Sequence, residues 1–146
     1  MVPSRASAHR ALPALANEPD YGVRYALCHA FGGIGFDIGP NLAPLRDKPM
    51  DDWLKHILDP SAAIEPRFIS YIVAANDGRT FTALIQSETA TSLTLAQPGG
   101  ISATLLRTEV REVQPSKMSL MPEGFEETIA PQEMADLLAF LRTGTN

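Results

Sequence analysis

The spacing of apolar residues predicts two amphipathic helices, one in the first half of the chain and one near its end. In segment 49–58 apolar residues recur four positions apart, and Asp59-Pro60 ends the pattern. Its predicted buried face consists of Trp53, Leu54, Ile57 and Leu58. A second helix is predicted over 131–143, since Pro131 suits a first turn and Gly144 a helix stop. Its apolar stripe consists of Met134, Leu137, Leu138 and Leu141.

Between these helices, residues 67–114 change to the two-residue alternation that is typical of β-strands. Segment 67–75 is rich in β-branched and aromatic residues, and turn signals follow at 76–78 and 98–100. The predicted later strands are 79–86, 91–97, 101–107 and 109–114. In the second of the five strands, Phe81, Ala83 and Ile85 alternate with Thr80, Thr82 and Leu84. The pattern predicts an antiparallel meander that forms a small sheet or a barrel-like module.

The remaining segments are less regular. Residues 1–18, rich in Ala and Pro, are expected to be a linker or N-terminal extension, and 19–146 to form one domain with the β insertion at about 67–114. A short helix capped by Asp20 is expected to run into Cys28-His29. Segment 32–44 contains four glycines and two prolines, which predict a loop. Segment 116–125 is predicted to be a second, irregular loop.

Composition and charge exclude several classes of protein. The 146 residues are 45% hydrophobic and 20% charged, which favours one globular domain with a real core. A net charge of -5 argues against a general nucleic-acid binder. No apolar run approaches the roughly 20 residues needed to span a bilayer, and residues 1–18 contain no signal-peptide core. The single cysteine, Cys28, excludes an intrachain disulfide and any zinc site built from several cysteines.

Cys28 is followed directly by His29, and this pair is the first candidate for chemistry. In the c-type haem attachment motif C-x-x-C-H, two thiols add to porphyrin vinyl groups and the histidine ligates the iron. Tyr25 stands where the first of those thiols would be. A Cys-His pair taken alone more often indicates a small buried thiol beside an ordinary histidine. The motifs further along the chain therefore decide between the two interpretations.

Those motifs resemble a known family. Segment 33–42 has the form G-x-G-x-x-x-G-P-x-L, segment 119–124 reads SLMPEG, and a closing helix follows. With Cys28-His29 they resemble the class I cytochrome c pattern, and more closely the haem-binding domain at the carboxyl end of large dehydrogenase-like proteins of planctomycetes and verrucomicrobia. The resemblance extends over about residues 20–143. The stretches that carry it are 35–42, 56–68, 76–85 and 119–141.

The resemblance implies a mostly α, cytochrome c-like fold with an inserted antiparallel β-sheet, α+β overall, that binds one haem c. It implies that His29 is the proximal axial ligand of the iron and that Met121 is the distal ligand through its thioether. Cys28 would form one thioether bond to the porphyrin. The carbonyl oxygen of Pro40 would accept the other ring N–H of His29 and so fix its tautomer.

Alternative ligands are also present in the sequence. Met118 lies three residues before Met121, but Pro122 and Gly124 would hold the Met121 loop in a fixed, non-helical path, which favours Met121. His9 and His56 could replace an iron ligand, although both are expected to be ordinary surface histidines. Tyr25 is expected to pack against the porphyrin edge or a neighbouring helix. Its presence leaves three outcomes open: haem held by one thioether, which we rank first, haem held without a covalent bond, and a domain that has lost haem.

The leading hypothesis is an electron-transfer protein rather than an enzyme. The resemblance implies a redox partner protein or a fused dehydrogenase module, and the acidic charge favours a partner with a basic docking face. Haem attachment of this type implies a periplasmic or other extracytoplasmic location, although the sequence taken alone also allows a cytoplasmic one. A haem-free interaction module on the same scaffold is the main alternative. A haem-based redox or gas sensor, in which a ligand displaces Met121, is a second one.

Overall fold

The structure is a computed structural model, and it describes residues 28–31, 33 and 35–143. The largest element in this part of the chain is a five-stranded antiparallel sheet, whereas the three α-helices have 9, 4 and 13 residues. The prediction of a mostly α, cytochrome c-like fold is therefore wrong. The prediction fails because the alternating segments occupy the whole centre of the chain and pair as neighbouring strands of one sheet, while the helical flanks are short. The predicted linker 1–18, the helix after Asp20, and Gly144 lie outside the described residues.

The sheet consists of β1 (Tyr71–Ala75), β2 (Thr80–Glu88), β3 (Ser92–Gln97), β4 (Ile101–Leu106) and β5 (Val110–Pro115). Their spatial order is β4-β3-β2-β1-β5. The first four strands form the predicted meander, but β5 returns to the opposite side of β1, where Val113 lies opposite Val73. The first strand is shorter than predicted, because Pro66–Phe68 form a turn of 3-10 helix.

Three helices flank the sheet in sequence: α1 (Met50–Leu58), α2 (Phe125–Thr128) and α3 (Pro131–Thr143). The predictions of α1 and α3 are confirmed. Helix α1 starts one residue later than expected, and α3 has the predicted bounds. Leu58 was expected on the buried face of α1, but its exposed fraction is 40%. The short helix α2 was not predicted. None of the described helices is long and apolar enough to cross a membrane.

Apolar side chains gather in two main cores and a smaller cluster between them. The sheet core consists of Val73, Ala83, Leu93, Leu95 and Leu105. The helical core consists of Leu42, Trp53, Ile57, Ile129, Leu138 and Leu141. The third group, which we call the seam cluster, consists of Ile38, Leu84 and Ala96, with Cys28, Phe68 and Leu120 packed against them.

The seam cluster exists because both faces of the sheet are covered near the middle of β2. Ala83 and Leu84 are adjacent, so their side chains point to opposite faces of the sheet, yet both are buried. Ala83 belongs to the sheet core, whereas Leu84 lies against Ile38 from the glycine-rich loop. The sheet thus forms a wall behind the segment that contains Cys28 and His29. On the other side of that segment, the rings of Phe31 and Phe140 lie 5.2 Å apart and connect it to α3.

Candidate functional site

An open cavity lies between the helical core and the seam cluster. The empty space in this cavity, including the part that is open to solvent, is about 990 Å³. Four of the residues singled out in the sequence line it: Cys28, His29, Pro40 and Met121. The fifth, Tyr25, lies outside the described residues. The fold therefore brings Met121 to the same cavity as a segment more than ninety residues earlier in the chain.

Backbone hydrogen bonds hold the Cys28–Ala30 segment against the glycine-rich loop. The carbonyl oxygen of Cys28 accepts the N–H groups of Ile38 at 2.9 Å and of Gly39 at 2.6 Å. The N–H of Leu42 donates to the carbonyl oxygen of Ala30 at 3.0 Å. These three bonds lie on both sides of His29, and they fix the backbone from which its imidazole ring projects.

Gly39 allows the loop to lie directly against the imidazole ring. A Cβ atom at position 39 would come within 2.5 Å of Cε1 and 2.7 Å of Nδ1 of His29. Contacts below about 3.0 Å are closer than carbon atoms tolerate, so any side chain at this position would displace the ring or the loop. A glycine is thus required because the loop backbone lies against the His29 ring, not because of the backbone conformation at position 39.

The His29 ring is held by a hydrogen bond to the neighbouring proline. Nδ1 of His29 lies 2.9 Å from the carbonyl oxygen of Pro40. Because a carbonyl oxygen can only accept, Nδ1 carries the hydrogen and Nε2 has the lone pair. Burial lowers the pKa of His29 below its ordinary value, and the hydrogen bond to Pro40 offsets part of that shift. The ring is therefore held mostly neutral, in one tautomer and one orientation.

Cys28 lies at the side of the cavity that faces the sheet. Its side chain is half-buried and packs against the seam cluster. Burial raises the pKa of the thiol, because the thiolate would lose hydration in these apolar surroundings. Cys28 is consequently a protonated thiol at neutral pH.

The two methionines that compete in the sequence occupy different environments. Met121 is partly buried, lines the cavity and packs against the helical core. Met118 does not line the cavity, and its exposed fraction is 53%. The geometry therefore favours Met121 over Met118 as a cavity ligand.

The loop that carries Met121 is anchored by serine side chains. The buried hydroxyl of Ser70, directly before β1, donates to the carbonyl oxygen of Met118 at 2.9 Å. The hydroxyl of Ser61 accepts the N–H of Ser119 at 3.1 Å, and the hydroxyl of Ser119 accepts the N–H of Met121 at 3.1 Å. These bonds connect the methionine loop to the sheet and to the segment after α1.

Several lining residues were not singled out as functional from the sequence. Trp53 and Ile57 were assigned only to a buried helix face, and His56 was expected to be an ordinary surface histidine. His56 is exposed, as expected, and it also lines the cavity together with Lys48. The four-residue spacing in α1 indicated that Trp53 and Ile57 are buried. The sequence of the helix did not indicate that these side chains border a cavity. His9 lies outside the described residues.

Within the described residues, no group of three or more His, Cys, Asp or Glu side chains could hold a metal ion. No protein-family model matches the chain, and no curated protein matches it at a significant level.

Proposed function

We propose that this chain is a monohaem electron-transfer protein. His29 and Met121 would be the axial ligands of the iron in the cavity, and Cys28 would form a single thioether bond to haem c. The observation that carries this proposal is that Cys28, His29 and Met121 line one cavity although the methionine is far from the other two in sequence. An imidazole and a thioether are a donor pair that haem iron accepts, and neither requires a charged side chain.

The lining of the cavity suits a mostly apolar occupant. The cavity is open to solvent on one side, and most of its lining is apolar. Leu42, Ile57 and Phe68 contribute apolar surface to its walls. Such walls exclude water from one bound face of the occupant and lower the local dielectric constant.

His29 is prepared for ligation by its surroundings. The hydrogen bond from Nδ1 to Pro40 puts the ring in the tautomer whose Nε2 has the lone pair needed for a metal bond. Burial favours the neutral form, so little free energy is spent on removing a proton before ligation. Gly39 packs against the ring and limits its rotation. These features orient the imidazole without contributing any catalytic step.

Bound haem iron would supply the reversible one-electron change. The chain would set the conditions of that change by providing a thioether, which favours the ferrous state relative to a second histidine, and by burying the iron. Substrate turnover is not part of the proposal. The net charge of -5 supports docking to a redox partner with a basic face. That partner would be a separate protein or a fused dehydrogenase module, in a periplasmic or other extracytoplasmic compartment.

The ligand assignment is tested by two matched substitutions. In protein produced with cytochrome c maturation factors, Met121→Ala should abolish the low-spin spectrum of His/Met ligation, whereas Met118→Ala should leave it unchanged. Both substitutions remove one methionine from the same loop, so an effect on loop folding alone would appear in both. Loss of the spectrum in Met118→Ala but not in Met121→Ala would overturn the assignment of the distal ligand.

The attachment is tested by the mass of the denatured chain. A single thioether predicts a mass increased by one haem in the wild-type chain and an unmodified mass in Cys28→Ser. A haem spectrum with an unmodified wild-type mass would mean that the haem is held by ligation and packing alone. A chain that takes up no haem under these conditions would instead favour the haem-free interaction module. Displacement of Met121 by carbon monoxide at equilibrium would favour the sensor.

A further inference from the structure

The loop that contains Met121 has the same short pattern twice in succession. Segment 116–121 reads SKMSLM, which is two Ser-x-Met units. In each unit the serine hydroxyl accepts the N–H of the methionine two residues later, Ser116 from Met118 at 3.0 Å and Ser119 from Met121 at 3.1 Å. Serine side chains commonly form such local bonds to the backbone. Because the two units share this bond, the different positions of their methionines must have another cause.

Hydrogen bonds to other parts of the chain distinguish the two units. The first unit is bonded to the sheet, since the hydroxyl of Ser70 donates to the carbonyl oxygen of Met118 at 2.9 Å. The second unit is bonded to the segment after α1, where the hydroxyl of Ser61 accepts the N–H of Ser119 at 3.1 Å. Ser119 and Met121 both line the cavity, whereas Met118 does not. The bond to Ser61 therefore belongs to the unit that borders the cavity.

We propose that Ser119, held by Ser61, is a positioning residue that keeps Met121 in place as the distal ligand of the haem iron. This inference rests on the proposed function. Ser61 fixes the backbone of Ser119, and the hydroxyl of Ser119 fixes the backbone N–H of Met121, so two hydrogen bonds in series connect the segment after α1 to the ligand. Both serines are partly buried, where water competes less for a hydrogen bond than at an exposed site. A loop that is ordered in this way loses less conformational entropy when its thioether binds iron.

Competition with imidazole tests this role in the haem-loaded chain. Imidazole binds the ferric iron only where Met121 has left it, so its apparent affinity measures how firmly the loop holds the thioether. Ser119→Ala removes one neutral hydrogen bond, and we expect it to strengthen imidazole binding about two- to tenfold. Ser61→Ala should change the affinity in the same direction. Ser119→Thr keeps the hydroxyl and should retain the wild-type affinity.

Ser116→Ala is the matched control for a loss of loop stability. It removes the same kind of bond from the same loop, but at Met118 instead of Met121. The free energy of unfolding should therefore decrease by a similar amount in Ser116→Ala and Ser119→Ala, whereas imidazole binding should change only in Ser119→Ala. Equal imidazole affinities in the two variants would show that the serine bonds act on stability alone, and would overturn the positioning role.

A second measurement does not require haem. Hydrogen exchange of the ¹⁵N-labelled haem-free chain, followed by NMR, reports how well the backbone N–H of Met121 is protected. This N–H should exchange faster in Ser119→Ala and in Ser61→Ala than in the wild-type chain, and at the wild-type rate in Ser116→Ala. An unchanged rate in Ser61→Ala would show that Ser61 does not act on Met121 through Ser119, and would overturn the two bonds in series.

The two measurements separate this inference from the proposed function. A wild-type chain that takes up no haem overturns the proposed function, and this inference fails with it. If the wild-type chain shows His/Met ligation but Ser119→Ala and Ser61→Ala bind imidazole with the wild-type affinity, the positioning role is wrong while the haem proposal stands.

Discussion

The arrangement around His29 depends on a residue that has no side chain. The loop backbone at Gly39 lies against the imidazole ring, and the carbonyl oxygen of the next residue, Pro40, accepts its Nδ1 hydrogen. Gly39 thus lets the backbone approach the imidazole ring, and Pro40 supplies the carbonyl oxygen that orients the ring. The same loop contributes Ile38 to the cluster that packs against Cys28. Changes in this loop are therefore expected to act on both proposed attachment points.

Gly39→Ala should displace the imidazole ring and lower the amount of haem that the purified chain retains. The added methyl group would clash with Cε1 and Nδ1, and overpacking of this kind typically costs about 1–3 kcal/mol. The Soret absorbance per chain, measured after purification, checks the prediction. Gly33→Ala is the control for strain in this loop without the contact to His29, because its φ of +83° disfavours a side chain while a Cβ atom there meets nothing within 4 Å. Equal haem retention in the two variants would show that the contact at Gly39 does not matter for binding.

The titration of His29 predicts how the stability of the haem-free chain depends on pH. Burial lowers the pKa of His29 below 6.5, so the unfolded chain binds a proton more readily than the folded one. The free energy of unfolding should therefore decrease as the pH falls through the interval below 6.5. Asp77 acts at lower pH, since its pKa is held below 3.8 by hydrogen bonds from Arg79.

Urea unfolding followed by circular dichroism, repeated between about pH 7.5 and 5.5, measures this effect. The decrease in stability should be smaller in His29→Gln, which has no group that titrates in this range at position 29. An unchanged pH dependence in that variant would assign the effect to other groups.

At the scale of elements, the methionine loop depends on the sheet for its position. Ser70 directly precedes β1, and its exposed fraction is 1%. Its hydroxyl donates to the carbonyl oxygen of Met118, and its own carbonyl oxygen accepts the N–H of Ser116 at 2.7 Å. The sheet therefore does more than occupy the centre of the chain, because Ser70, directly before its first strand, is hydrogen-bonded to the loop that contains Met121.

Ser70→Ala should destabilise the fold by about 0.5–1.5 kcal/mol, since it removes one donor from a partly buried hydrogen bond to the carbonyl oxygen of Met118. It should also weaken ligation by Met121, which would appear as a partial loss of the low-spin spectrum. Thermal unfolding and the absorption spectrum of the same sample measure the two effects. Ser102→Ala, at an exposed position of β4, is the matched control and should change neither. A stability loss with an intact spectrum would mean that Met121 is positioned without Ser70.

Local patterns predicted most elements but not their assembly. The alternation in 67–114, with turns at 76–78 and 98–100, predicted five strands, and all five are present. The pairing of β5 with β1 was not predictable, because alternation does not specify which strands are neighbours. Leu84 belongs to the same alternating set of β2 as Thr80 and Thr82. It is buried because Ile38, distant in sequence, covers it.

The sequence motifs singled out several residues that line the cavity, but not the contacts that depend on long-range packing. The resemblance singled out His29, Pro40 and Met121, and the structure brings them to one cavity. The unpaired Nε1 of Trp53 was not predictable, since the spacing in α1 shows burial but not hydrogen bonding. The motifs also led to the wrong fold class, because they lie in the short flanks and say little about the β-rich centre.

At the scale of the whole molecule, the cavity lies between two cores of different kinds. The helical core supplies Trp53, Ile57 and Leu42 to its lining, and the seam cluster supplies Cys28 and Ile38. The sheet core lies on the opposite face of the sheet from the seam cluster. The sheet core thus supports the wall behind Cys28, although its buried residues do not line the cavity.

Leu95→Ala tests this support from a distance. Leu95 is fully buried in the sheet core, so the substitution should cost about 2–5 kcal/mol. Leu106→Ala, at the exposed end of β4, should change the free energy of unfolding by no more than about 0.5 kcal/mol. Chemical denaturation of the two variants and the wild-type chain gives both values. A small cost at Leu95 would mean that the sheet core contributes little to the fold.

Whether this cavity holds haem is tested by the absorption spectrum of the full chain, produced with cytochrome c maturation factors. We expect a Soret band and, after reduction, a sharp α-band, with one haem per chain in the wild type and a strong loss in His29→Ala. A folded wild-type chain that shows no Soret band would overturn the haem proposal.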